Sequence, residues 1–170
     1  MTQLLTLITT LPDSPKLRDV RIPSPYEARA ADVGDTDELG HLYFEAYEPG
    51  AGCESLPEAI DDIRASFAGE YGELWSEASL VVEHDHSLSG AILTVRRAPW
   101  ESTPDCPFII ELFVDKSHRR RGLGRSLVQM CMATAAESKE PAVALRVADD
   151  NHAARALYRS LGFSEWHPQH

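Results

Sequence analysis

What this sequence lacks narrows its class before any motif is read. It holds three cysteines, Cys53, Cys106 and Cys131, with no C-x-x-C pair among them. An odd, scattered set argues against a disulfide framework and against a cysteine-rich metal site. No apolar run is long enough to cross a bilayer, so no membrane partner is expected. The opening Met1-Thr2-Gln3-Leu4-Leu5 has neither the basic stretch nor the small-residue cleavage site of a secretory leader, and the expected location is cytoplasmic. Neither G-x-G-x-x-G nor G-K-[ST] occurs, which removes the common signatures of dinucleotide and nucleoside-triphosphate sites. Positive charge is scarce: 16 Lys and Arg against 27 Asp and Glu, a formal net charge of −11. Such a chain repels nucleic acid at long range, and no nucleic-acid partner is expected. His84-Asp85-His86 resembles a fragment of a metal site, but it lies between two strand-like runs. It reads as a solvated turn, and no metal is expected.

What is present suits one compact mixed α/β domain. The chain has 170 residues, 43% of them apolar, enough for a sizeable core. Residues 1–25 combine the apolar run Leu4 to Ile8 with Pro12, Pro15, Pro23 and Pro25, and read as an early strand pair followed by a loop. Tyr26 to Ala30 reads as a first core strand. Asp35 or Thr36 caps a helix to about Tyr47, with Leu39, Leu42, Tyr43 and Ala46 on one face. Pro49-Gly50-Ala51-Gly52 breaks it, and Ser55 caps a second helix with Pro57 and Glu58 in its first turn. Ser79–Glu83 and Leu88–Arg96 form a hairpin around His84 to Ser87. Ala98 to Pro107 is a loop with three prolines. Phe108 to Val114 is an almost wholly apolar strand, the kind buried on both faces. Helices over about Gly124–Ser138 and His152–Ser160 flank a strand over Ala142–Val147.

The segment Asp115 to Arg125 carries the first chemical signal. It joins an apolar strand to an amphipathic helix and contains Arg119, Arg120, Arg121, Gly122, Leu123, Gly124 and Arg125. Glycines allow a ligand to approach the backbone, and a helix start offers unpaired N–H groups. Helix N-termini disfavour cations, yet this acidic chain gathers arginines at one. A bound polyanion reconciles the two. The alternative is that these arginines pair with the many surface carboxylates.

Arg119-x-x-Gly122-x-Gly124 resembles the R/Q-x-x-G-x-G/A signature of the GNAT acetyltransferase superfamily, in the strand–loop–helix setting that the family uses. Asn151 to Phe163 resembles a second family segment, N-x-x-A-x-x-L-Y-x-x-x-G-F. The resemblance covers about Phe108 to Phe163 and implies a single GNAT domain over residues 26–170, with residues 1–25 as an N-terminal extension. It implies a mixed, mostly antiparallel sheet flanked by helices. It implies acetyl-CoA as co-substrate, its pyrophosphate held by the loop from Arg119 to Arg125 and its pantetheine arm paired with the backbone of Leu112, Phe113 and Val114. Asn151 matches a family asparagine near the cofactor. Tyr158 matches a tyrosine beside the thioester sulfur, where a phenol can protonate the departing thiolate. The competing reading of Tyr158 is a packed helix residue.

Acyl transfer needs a neutral amine, and a carboxylate commonly helps remove its proton. Glu111, set inside an apolar strand, is the candidate base; the alternative is an ion pair with one of the arginines. In close resemblance to the loop and the second segment stand the ribosomal-protein N-terminal acetyltransferases of the superfamily. They carry a glutamate where this sequence has Arg146, which weakens that assignment. Glu45, Glu48, Glu54, Glu58, Asp61 and Asp62 crowd the first two helices. They fit either a cationic acceptor, such as a polyamine, an aminoglycoside or lysine, or plain solvated helix faces. Trp75 and Trp100 either line the acceptor site or pack. The chain ends seven residues after Phe163, where relatives usually add a strand. Residues 1–25, or a second subunit in a homodimer, are expected to cover that edge. The resulting expectation is direct acetyl transfer to a small-molecule or peptide amine, with a non-catalytic acyl-CoA-binding module as the rival.

Overall fold

The computed structural model describes residues 2–11, 20–47 and 53–169. Pro12, Pro15, Glu48, the Pro49-Gly50-Ala51-Gly52 break and His170 lie outside them.

Among the described residues, seven strands and four α-helices follow in the order β1 (Leu4–Thr10), β2 (Glu27–Ala30), α1 (Thr36–Ala46), α2 (Leu56–Ala68), β3 (Leu80–His84), β4 (Ser87–Val95), β5 (Phe108–Val114), α3 (Leu123–Glu137), β6 (Ala142–Ala148), α4 (His152–Ser160) and β7 (Ser164–Glu165). They build one sheet in the order β2-β3-β4-β5-β6-β1-β7, antiparallel throughout except between β5 and β6. Asp85 and His86 connect β3 to β4 with φ of 51° and 65°. Two consecutive positive values suit the right-handed twist of a tight hairpin.

Leu39, Leu42, Ile63, Val81, Ala91, Leu93 and Phe113 form the core between the sheet and α1–α2. Leu127, Val128, Cys131, Ile92, Ile109, Leu145 and Tyr158 form the core on the other side, beneath α3 and α4. The two layers of helix bury both faces of the sheet, as a mixed α/β sheet requires. Gly40 permits α1 and α2 to meet: a Cβ there would stand 2.4 Å from Ile60 Cγ1 and 2.8 Å from its Cα.

The structure departs from the sequence reading in four places. Among the described residues, 1–25 contribute one strand rather than a pair. That strand, β1, runs antiparallel along the whole of β6, from Leu4 opposite Ala148 to Thr10 opposite Ala142. It therefore lies on the edge for which a cover was expected, with the two-residue β7 beyond it. Second, β2 is the outer strand of the sheet and mostly exposed, not a core strand. Third, Asp35 holds the N-cap position of α1, as expected, but its side chain makes no cap bond to that helix, and the side-chain cap is supplied one turn earlier by Asp32. Its side chain accepts from Gly34 N–H while Asp35 accepts from Asp32 N–H, closing a capping box around a short 3-10 turn.

Fourth, β5 is not buried on both faces along its length, because Ile110, Glu111 and Leu112 keep partial exposure. Parallel pairing with β6 is confined to Phe108 opposite Ala144 and Ile109 opposite Leu145. Past Ile109 the two strands run on to Val114 and Ala148 without pairing to each other. A bulge begins at the same point. Thr94 of β4 stands opposite Ile109 and Leu93 opposite Glu111, so Ile110 has no counterpart. An extra residue turns every side chain after it to the other face. Ile109 belongs to the α3 core, while Glu111 lies opposite Leu93, a member of the α1–α2 core.

Candidate active site

Two groups of residues lie near the parting of β5 from β6, on opposite sides of the sheet. The first lines a cleft of about 460 Å³ and comprises Val114, His118, Arg119, Arg120, Gly122, Leu123, Gly124, Arg125, Ala153, Ala154 and Leu157. Gly122 is the N-cap of α3, with φ 78° and no side chain capping the helix. The first N–H groups of α3 are thus left for a ligand, with the positive end of the helix dipole behind them. A Cβ built on Gly122 meets nothing within 4 Å. That open space before bare backbone N–H groups suits a phosphate.

The arginines of the loop divide by role. Arg119 turns inward: Nη2 donates to the Ala46 carbonyl, and Nε donates to the Val114 carbonyl at 3.4 Å. Ala46 ends α1, so this cation satisfies an orphan helix carbonyl and pins α1 to the end of β5. Arg125 Nη2 donates to Ser160 Oγ at 2.5 Å, tying α3 to α4. Arg120 and Arg121 are exposed and, among the described residues, have no side-chain partner. The proposed pairing of loop arginines with surface carboxylates therefore does not occur there. Arg120 also holds a left-handed φ of 63°. His118 shares the cleft, and its Nδ1 hydrogen-bonds the Tyr26 hydroxyl at 2.8 Å. Asn151 caps α4, its side chain accepting from Ala154 N–H at 3.2 Å. Leu112 and Phe113 stand at the parted end of β5, where the strand lacks a neighbour on the β6 side.

The second group lies against α1 and α2. Glu111 rests there beside Tyr43 and Asp62, surrounded by protein yet still partly reached by solvent. Burial is the main cause that pushes its carboxyl up to about 8; the nearby Asp62 carboxylate pushes the same way, and the Tyr43 hydroxyl opposes. No arginine pairs with it, so the ion-pair reading of Glu111 fails. Asp62 in turn accepts a hydrogen bond from the Tyr71 hydroxyl at 2.5 Å. That bond and burial raise Tyr71 to about 12. The other acids on α2 are occupied elsewhere. Asp61 pairs with Arg64 at 2.5 Å, and Glu58 accepts from Glu54 N–H at 3.3 Å beside the Ser55 cap. Of the six acids noted in the sequence, five lie among the described residues, and Asp62 is the one of these that faces Glu111.

Tyr158 belongs to the α3–α4 side but lies close to Tyr47 at the end of α1. It is buried in the core beneath α3 and α4, its ring 5.6 Å from that of Phe163, and burial pushes its phenol up to about 12. Its hydroxyl has no hydrogen-bond partner among the described residues. Tyr47, at the end of α1, links it to Glu111. Burial is the main cause that raises the Tyr47 phenol, and both Glu111 and Tyr158 are near enough to raise it further. The candidate base and the candidate acid thus both lie within electrostatic reach of Tyr47.

Tyr43, Tyr47, Asp62 and Tyr71 were not singled out as reactive from the sequence. Tyr43 had only the helical spacing of a core residue, and Asp62 was one acid among six. Trp75 is a packing residue, 2% exposed under Arg96. Trp100 lies on the α2 side, its ring 6.3 Å from Tyr71 and 5.8 Å from Phe108.

The chain as a whole has counterparts among known proteins. The chain matches the Acetyltransferase (GNAT) family over residues 36–163, and it belongs to that family. A curated relative, the mycothiol acetyltransferase of Beutenbergia cavernae, is 30% identical over 151 residues, covering 84% of this chain and 47% of the relative. The chain thus spans about half the length of that relative. Among solved structures, a GCN5-related N-acetyltransferase from Sphaerobacter thermophilus superposes with a TM-score of 0.68 at 18% identity, over 96% of this chain and 48% of that one. The PaiA N-acetyltransferase of Thermoplasma acidophilum, solved in complex with coenzyme A, superposes with a TM-score of 0.61 at 16% identity, over 82% and 89% of the two chains. These two likenesses concern the fold.

Proposed function

We propose that the protein transfers an acetyl group from acetyl-CoA directly to a primary amine within a ternary complex. One observation carries this reading. Around the splay past Ile109 lie an uncapped helix start and two arginines without side-chain partners among the described residues on one side, and a carboxyl poised near 8 on the other.

The residues present fit acetyl-CoA. Backbone N–H groups of Leu123 to Arg125, with Arg120 and Arg121, would hold the pyrophosphate. Gly122 leaves room for it, and Arg119 fixes the loop to α1. The backbone of Leu112 to Val114, unpaired on the β6 side, would bind the pantetheine arm, and Asn151 caps the start of α4. When bound, acetyl-CoA supplies an activated acyl group whose carbonyl can be polarised by backbone N–H donors at the end of β5.

Glu111 acts on the acceptor. An ammonium arriving against Glu111 and Asp62 opposes both causes of the raised pKa and drives Glu111 towards the carboxylate. The carboxylate then accepts the amine proton, directly or through water. A positively charged acceptor is therefore favoured over a neutral one. Tyr158 stays protonated throughout the neutral range and donates its O–H to the departing sulfur. A phenol near 12 is a weaker acid than an ordinary thiol, so most of its contribution is the hydrogen bond itself.

The test is CoA release from acetyl-CoA across polyamines, aminoglycosides, amino acids, arylamines and peptides with free N-termini or lysines. Turnover with one class of amine is expected. Tight acetyl-CoA binding with no release across the panel would instead fit a sensing module.

A further inference from the structure

Arg146 occupies the β6 position that would face Ile110 had the parallel ladder continued one step beyond Ile109 and Leu145. It sits where the strands part, on the face of β6 shared with Ala144. Its guanidinium lies 5.1 Å from the centroid of the Trp100 ring and 6.0 Å from that of Phe108. In a chain of net charge −11, it has no carboxylate partner among the described residues. Stacking on an aromatic fixes a guanidinium in place while leaving its N–H edge free to bind.

That edge is connected to the candidate base by a continuous wall. Trp100 lies beside Tyr71, whose hydroxyl donates to Asp62, and Asp62 neighbours Glu111. A cation stands at one end of this wall and a carboxyl pair at the other, with aromatic rings between. A bare amine such as a polyamine would place positive charge along a wall that already ends in a guanidinium. An amine that also carries a carboxylate satisfies both ends.

The geometry points to an acceptor of the amino-acid type, whose carboxylate is held by Arg146 while its amine is presented to Glu111 and Asp62. This deepens the reading of the site as an amine acetyltransferase and rests on it. Arg146 is then a specificity-determining residue. The arginine fork matches a carboxylate in bidentate fashion, whereas a carboxamide offers one acceptor and no charge.

The test pairs two readouts on the full chain. α-Amino acids and ω-amino acids of increasing length, each with its primary amide, are titrated calorimetrically into the CoA-loaded protein. The same compounds are assayed for CoA release from acetyl-CoA. Carboxylate forms should bind more tightly than their amides by on the order of 10- to 100-fold, the range for a hydrogen-bonded charge pair. Arg146→Gln should erase that preference while leaving amide binding within about twofold; Arg146→Lys should retain part of it. The length of the best ligand separates α- from ω-amino acids. Equal use of acids and amides, or equal losses for both in Arg146→Gln, would overturn the inference and leave acetyl transfer standing. Arg146-dependent binding of carboxylate amines without CoA release would support the inference and overturn acetyl transfer. Neither binding nor release would overturn both.

Discussion

Ile109 and Glu111, two residues apart on β5, point to opposite faces of the sheet. In a regular strand they would share a face. Ile110, unopposed on β4, is the cause. It turns Glu111 out of the α3 core and towards Asp62 at the point where β6 pulls away. One extra residue thus turns Glu111, the proposed base, to the α1–α2 side.

Deleting Ile110 should restore a regular ladder and return residue 111 to the α3 side. CoA release is expected to fall to the level of Glu111→Gln, while acetyl-CoA binding, measured by calorimetry, persists. Full turnover in a folded deletion variant, checked by circular dichroism, would show that the bulge does not position Glu111.

Glu111 also makes stability depend on pH. Its folded pKa, about 8, is raised above the ordinary value of 4.5, so the folded state holds a proton that the unfolded state has released between those values. The contribution is fully present below about 4.5 and is lost as pH rises towards 8. Glu111→Gln removes the titration. Thermal melts from pH 5 to 9 should show the variant gaining on the parent as pH rises. Parallel curves would contradict the raised pKa.

Tyr158→Phe deletes a hydroxyl that has no partner among the described residues, so the melting temperature should move little. Turnover should drop on the order of 100-fold, with the KM for acetyl-CoA nearly unchanged, the mark of an acid acting in the reaction. Equal loss of stability and activity would return Tyr158 to a packing role.

Gly122→Glu separates the loop from the fold. Open space surrounds the position, so the cost to folding is the left-handed φ of 78°, about 1 kcal/mol or a little more. A carboxylate there would sit in the anion site. Acetyl-CoA binding should vanish while the protein still melts cooperatively. Retained binding would mean that the phosphates lie elsewhere.

Much of this was legible in the sequence because it is local. Glycines before an amphipathic helix, arginines against a helix dipole, and Ser55 ahead of Pro57 and Glu58 each state a physical requirement within a few residues. Glu111 stood out as a charge inside an apolar strand. The rest depended on contacts distant in sequence. Nothing around Ile110 marks a bulge, since any apolar residue suits it. Asp62 differs from Asp61 only in the face of α2 that it occupies, and Tyr43 has the spacing of an ordinary core residue. The β1 strand was visible as an apolar run, but its place between β6 and β7 is a fact of topology. The two-residue β7 is too short to leave a pattern.

The measurement closest to the central claim is the pH dependence of kcat/KM for the amine, followed by CoA release in the parent and in Glu111→Gln. The same acceptor is used in both, so its own ionisation is common to the two profiles. The parent should rise with pH and level off above about 8, following the Glu111 carboxylate, and the variant should be on the order of 100-fold slower and lack that limb. Two profiles of the same shape and height would contradict a base at Glu111, and with it the acetyl transfer built on the parting of β5 from β6.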